Sequence, residues 1–233
     1  MKRRALIAGL AVAGALLWAL TSWSAIGNGL TRLAQVVGVG AFFGAVLLSI
    51  PIRVRVVIVA VLGVLALMPV REVDEARVRS RSIDEARALL GTRYVWGGEN
   101  GNGIDCSGLV RTSFRRALVR EAVTGANPGL LRRAVELWAF DASALALKDG
   151  SRSFAVQVGP VQSLNVADVS ALRPGDFMVT ANGLHTMAYA GQGEWIEADP
   201  GEERVISVTP PTKNPWFAEP AVLMRWSLFA SSR

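Results

Sequence analysis

A second cysteine is missing from this chain of 233 residues, and so is a second histidine. With a single thiol there is no intramolecular disulfide, and a domain of ordinary size is stable without one. One imidazole and one thiol also fall short of a zinc ligand set, so neither metal nor other cofactor is expected. Acidic side chains are absent before Glu72. Charge of either sign is absent from Ala5 to Thr31, from Leu33 to Ile52 and from Val56 to Val70, runs of 27, 20 and 15 residues. A bilayer core takes roughly 20 apolar residues to cross, so the first 70 residues read as membrane-embedded.

Those absences decide what the net charge of +6 means. Lys2, Arg3, Arg4, Arg32, Arg53 and Arg55 precede Arg71, and from Arg71 onward 19 basic residues balance 19 acidic ones. The excess positive charge therefore belongs to the apolar region. A nucleic-acid binder would carry it on the folded domain, and nucleic acid is excluded as a partner. The lipid bilayer is the partner this charge pattern implies. Cations cluster at the N-terminus and around Pro51, with Arg32 alone in the first loop. The positive-inside rule then puts the N-terminus in the cytoplasm. Three spans, at about 5–23, 34–50 and 54–70, deliver the remainder to the outer side of a bacterial cytoplasmic membrane. The first is expected to be a retained signal anchor, because Ser22-Trp23-Ser24 makes a poor cleavage site. The second and third read as a helical hairpin broken at Pro51.

Residues 71–81, charged and poor in large apolar side chains, read as a linker. Ser82 with Glu85 reads as a capping box opening a helix to about Leu90, and 82–233 reads as one domain. A helix is expected from Cys106 to about Arg120, then another over Leu130–Leu147 within a helical insertion near 121–150. From Phe154 the pattern becomes short strands parted by turns: FAVQV, DFMVT, LHTMAYA, EWIEA, RVISV and AVLMRWSLF. Helices followed by antiparallel strands make this an α+β domain.

The chemistry centres on YVWGGENGNGIDCSGLVR, Tyr94 to Arg111. A cysteine attacks as its thiolate. Asp105 is placed as an N-cap, which puts Cys106 in a first helical turn where the dipole favours an anion and backbone N–H groups are free for an oxyanion. The glycines before it admit a sharp approach. His185, in LHTMAYA, is the available base. The following turn, Gly191-Gln192-Gly193, returns EWIEA alongside, so that Glu197 or Asp199 could fix the imidazole tautomer. GGENGNG lacks the Gly-Lys-Ser/Thr of a phosphate-binding loop.

These residues resemble the NlpC-type cell-wall peptidases of the papain-like cysteine peptidase superfamily. The likeness rests on Tyr94, Trp96, Gly97 and Gly98, on the run Asp105 to Val110, on Leu172 to Asp176 (L-x-P-G-D), and on a strand opening with His185. It covers about Ser82 to Val208. It implies a papain-like fold and hydrolysis of stem-peptide bonds of peptidoglycan, often the γ-D-glutamyl-diamino acid bond. Cys106 would be nucleophile, His185 base and then acid. Glu197, twelve positions after the histidine, would be the orienting group, with Asp199 the alternative. Tyr94, Asp105 and Ser107 would contribute to substrate binding. A Glu stands where such proteins more often carry His, Asn or Gln, and the Cys-to-His spacing of 79 residues is long. Relatives of this shape include amidases and acyltransferases acting on lipid or protein, and a non-catalytic wall-binding module is the further alternative.

Overall fold

The computed structural model describes residues 2–230. Residue 1 and residues 231–233, at the outer ends of the two expected regions, lie outside the described residues. Three apolar helices come first, α1 (Lys2–Trp23), α2 (Gly29–Ser49) and α3 (Ile52–Leu67). α1 and α2 form a close hairpin because two glycines let their backbones meet. A Cβ on Gly14 would stand 2.6 Å from the carbonyl oxygen of Gly38, and one on Gly38 would stand 2.8 Å from that of Gly14. Asn28 and Thr31 cap the start of α2 reciprocally. The tight pair is thus α1 with α2 rather than the second run with the third. Pro51 does end the helix before it, but the small residues that permit backbone contact lie on α1 and α2. Arg55 donates to the carbonyls of Leu47 and Ile50, which ties the start of α3 to the end of α2.

Two of the three expected spans, α1 and α2, are long and apolar enough to cross a membrane, with mean hydropathies of 2.0 and 1.6. α3 has only 16 residues and falls short of that length. Gly38→Leu is expected to destabilise the hairpin by about 1–3 kcal/mol, because the added side chain meets backbone rather than space. An unchanged melting midpoint of the full chain in detergent would contradict this packing.

Residues 75–81 are not a free stalk. They are the first half of α4 (Glu75–Arg87), capped by Asp74, whose carboxylate accepts from the Arg77 N–H. Ser82 lies buried inside this helix rather than at its start. Burial explains the difference. Val78 is fully covered, and Arg79 reaches Asp176 at 2.8 Å while its guanidinium lies 4.0 Å over the Phe229 ring. A strand pair, β1 (Glu99–Asn100) and β2 (Gly103–Ile104), precedes α5 (Cys106–Thr124). The expected helix over 130–147 is two helices, α6 (Pro128–Ala139) and α7 (Ala144–Lys148). The chain breaks between them where Asp141 turns to Arg111 and Ser143 caps α7.

The six later strands are β3 (Ala155–Val161), β4 (Phe177–Thr180), β5 (Thr186–Gly191), β6 (Glu194–Asp199), β7 (Arg204–Val208) and β8 (Ala221–Trp226). They form one antiparallel sheet in the order β3-β8-β4-β5-β6-β7. The fold is α+β, helices on an antiparallel sheet. Alternation along the strands sorts the two faces. Phe177, Val179, Ala188, Met224 and Trp226 join α5, α6 and α7 in one core, where Phe114 stacks on Trp226 at 4.2 Å. Met178, Met187, Tyr189, Trp195 and Leu223 face the other way, under a cover that includes Leu164, Leu172 and Phe217. Ile196 and Ala198 turn back to meet Ile83 and Leu109.

Candidate active site

The sulfur is delivered by a helix start and the imidazole by a strand start. Asp105 caps α5, its Oδ1 accepting from the Gly108 N–H at 2.6 Å and from the Ser107 hydroxyl at 3.0 Å. Its Oδ2 accepts from the Gly97 N–H at 2.8 Å, so one carboxylate binds the glycine loop to the helix. Two glycines make the contact possible. A Cβ on Gly108 would lie 2.1 Å from the Gly98 carbonyl oxygen, and one on Gly98 would lie 2.5 Å from that of Gly103. Cys106 therefore occupies the first turn, with its backbone held from both sides.

His185 stands just before β5, which opens at Thr186, one residue later than expected. Its N–H donates to the Thr180 hydroxyl at 2.9 Å and its carbonyl accepts from the Thr180 N–H at 3.0 Å. The ring stacks on Trp216, centroids 4.4 Å apart and planes 16° apart. Nε2 meets Glu197 Oε2 at 2.6 Å, both side chains buried. The register of β5 on β6 puts Glu197 and Asp199 on the sheet face of Met187 and Tyr189. Of the two, Glu197 makes the imidazole contact. Asp199 accepts instead from the N–H groups of Gly201 and Glu202. Asn214 donates to both, at 2.8 Å to Glu197 and 2.7 Å to Asp199.

Cys106 Sγ lies 4.0 Å from the Leu184 carbonyl oxygen, and the Thr186 N–H also faces it, so the sulfur rests against the chain on either side of His185. Nε2 of His185 is committed to Glu197. Cys106 is a buried residue, with 6% of its surface exposed. Burial, and next the Asp105 charge, push the thiol up to about 12, against the pull of the Thr186, Ser107 and Cys106 N–H groups. A thiol so placed is protonated at neutral pH and needs a base to leave it. Burial also raises the Glu197 carboxyl above its ordinary range, opposed by the hydrogen bond from His185. Tyr94, half-buried, is raised chiefly by burial and then by its neighbours Cys106, Asp105 and Asp199, which puts its hydroxyl among the site's charges. Ser107 turns its hydroxyl to Asp105. Leu184, whose carbonyl faces the sulfur, and Trp96 of the glycine loop are both exposed apolar side chains.

Two further residues of this constellation carry no signal in the spacing. Asn214 and Trp216 come from the loop after β7, and Asn214-Pro215-Trp216 reads only as a short helical start, with Asn214 accepting from the Trp216 N–H. The turn between α1 and α2 is a neighbour that no local pattern announces. Gly27 N–H donates to the Gly97 carbonyl at 2.8 Å, Glu99 N–H to that of Ala25 at 3.0 Å, and the Asn102 amide to that of Trp23 at 2.8 Å. Beneath them Glu99 binds both Arg32 of α2 and Arg111 of α5. Arg111 also meets Asp141 at 2.7 Å.

A thiol at a helix start, resting on the backbone on either side of an imidazole that a carboxylate holds, defines a candidate cysteine-dependent site on an α+β scaffold. The sequence model of the NlpC/P60 family matches residues 91–223, and the chain belongs to that family. No curated protein matches it. Among solved structures, NlpC1 from Trichomonas vaginalis is 16% identical with a TM-score of 0.43, the match covering 67% of this chain and 46% of that one. An NlpC/P60 family protein from Bacillus cereus ATCC 10987 is 19% identical with a TM-score of 0.42, over 70% of this chain and 42% of that one. The peptidoglycan hydrolase RipB from Mycobacterium tuberculosis is 19% identical with a TM-score of 0.38, over 64% and 67%. The chain spans less than half the length of the first two.

Proposed function

We propose that this chain is a membrane-anchored cysteine peptidase that hydrolyses stem-peptide bonds of peptidoglycan, the γ-D-glutamyl-diamino acid bond foremost. Family membership supports the chemistry in outline. The observation that carries the reading is the His185–Glu197 contact at 2.6 Å beside a thiol in a first helical turn. In this mechanism Nδ1 of His185 takes the Cys106 proton as the sulfur attacks the scissile carbonyl. N–H groups of the first turn stabilise the oxyanion. The imidazolium then protonates the leaving amine. Water, deprotonated by the same ring, cleaves the thioester and restores the thiol. Glu197 holds the tautomer and offsets the imidazolium charge. Tyr94, Asp105 and Ser107 are proposed to meet the substrate amine.

Protonation sets the acid limit. A carboxyl whose pKa burial has raised becomes neutral at a higher pH than a free glutamate, and a neutral carboxyl cannot stabilise an imidazolium. Activity should therefore fall as pH drops through that raised value. Glu197→Gln should lower kcat by about 10²–10⁴-fold with KM nearly kept. It should also flatten the acid limb of the pH profile. An unchanged acid limb would assign that ionisation elsewhere.

The hairpin geometry supports an outward-facing domain. The α1–α2 turn touches the domain, so the opposite end of the hairpin carries Arg3 and Arg4, which share a cleft with Leu48 and Ser49. Arg53 and Arg55 follow at the same end. Arg32, the one cation at the domain end of α2, is paired with Glu99. Cations at the far end mark it as cytoplasmic. In this reading α3, short for a span at 16 residues, returns the chain to the outer side, where the carbonyls of Ala66 and Met68 accept from Arg132 of α6. The direct test is mass spectrometry of defined muropeptides digested with the full chain in detergent. Intact stem peptides after prolonged incubation would reject the proposal.

A further inference from the structure

One cleft of about 600 Å³ lies outside the candidate active site, between the α1–α2 hairpin and the domain. That volume is in the range of small-molecule sites, roughly 300–1,000 Å³. Its lining changes along α2. Arg32 is at the domain end with Arg115 of α5, while Val36, Val39 and Gly40 follow down the helix beside Trp18 of α1. At 1.5 Å per residue the step from Arg32 to Gly40 is about 12 Å. One wall is thus graded from cationic to apolar over the depth of a headgroup and the upper part of an acyl chain.

The cationic end is not balanced from within. Arg32 and Arg111 share the two carboxylates Glu99 and Asp141, and Arg115 beside them adds a positive charge that neither carboxylate pairs. Arg115 has no ion pair among the described residues, and the buried Nε of Arg32 has no hydrogen-bond partner among them. Two guanidinium groups lining a cleft with an unanswered charge suit a phosphate. The apolar end is open as well, since a Cβ on Gly40 would meet nothing within 4 Å.

We infer that this cleft binds an anionic phospholipid, its phosphate on Arg115 and Arg32 and one acyl chain along Val36, Val39 and Gly40. The inference rests on the reading of α1 and α2 as membrane-spanning. A free anion would leave the apolar wall uncovered, and a zwitterionic lipid would bring a cation to an already cationic end. Glu99 and Asn100 line the same cleft and belong to the loop that holds the nucleophile helix, so an occupied cleft would brace the site.

The test uses the full chain in a maltoside detergent, titrated with dioctanoyl-phosphatidylglycerol, dioctanoyl-phosphatidylcholine or inorganic phosphate and read by melting midpoint and native mass spectrometry. Phosphatidylglycerol should raise the midpoint and appear as a bound adduct, and the other two should do neither. Arg115→Gln should weaken the apparent affinity about tenfold. Gly40→Leu should weaken it similarly while leaving the lipid-free midpoint in place, because its side chain enters open space. Equal responses to the two lipids, a full response to phosphate alone, or an unaltered affinity in Arg115→Gln would each overturn the inference. Carbonate washing of membranes separates the two readings. A chain that stays with the bilayer but shows no lipid preference refutes this site alone, and a chain that washes off refutes the anchor.

Discussion

Cys106→Ala is expected to abolish muropeptide hydrolysis, by on the order of 10⁴-fold or more, with the melting midpoint close to that of the parent chain. The size of the loss follows from the role proposed for the sulfur: without a nucleophile the covalent route is closed, and what remains is binding and the oxyanion donors. The fold should survive because the thiol supports nothing else. Its contact with the Leu184 carbonyl is long at 4.0 Å, and the helix start is held by Asp105 rather than by the sulfur. Mass spectrometry of the digest, with a thermal melt of the same preparation, gives both readouts. Turnover retained in the alanine variant would exclude thiol chemistry. A companion measurement addresses the base. Burial pushes the thiol up to about 12, so in the proposed mechanism alkylation of Cys106 near neutral pH draws on His185 as the base. His185→Ala should slow labelling by at least about tenfold, and equal rates would leave the imidazole without that role.

The second large effect falls on stability. Asp176 is completely buried and receives Arg79 at 2.8 Å, Arg225 at 2.6 Å and the Arg173 N–H at 3.0 Å. Asp176→Ala leaves Arg79 buried without this carboxylate, and breaking a buried pair from one side costs about 3–5 kcal/mol. For a chain of this size that is a fall in melting temperature of roughly 6–20 °C. Asp176→Asn, which keeps an acceptor oxygen but not the charge, should lose less. A midpoint within about 2 °C of the parent would mean that α4 is held to the sheet by its apolar contacts alone. The aspartate of the Leu172–Asp176 segment thereby acquires a structural reason. It joins α4, the turn before β4 and strand β8 at one point.

What the sequence determined by itself was everything governed by neighbours along the chain. Periods of two and of about four residues located the six strands and α5, Gly191-Gln192-Gly193 set the β5–β6 turn, and Asp105 before Cys106 announced a capped helix start. The uncharged runs marked the apolar helices. Local pattern failed where a distant partner outweighed it. Residues 75–81 look like an unpacked charged stalk until Asp176 and Phe229 are brought to Arg79. The α1–α2 pair depends on Gly14 and Gly38 meeting across a turn. The residues themselves left Glu197 and Asp199 both open, the twelve-residue offset favoured Glu197, and the tertiary structure put Glu197 on the imidazole and added Asn214 and Trp216. It also set the α1–α2 turn on the loop beside Cys106. The physical reason is the same in each case: caps, turns and amphipathic periods are short-range and written into adjacent residues. Which buried charge or ring finds which partner is settled by how whole elements pack.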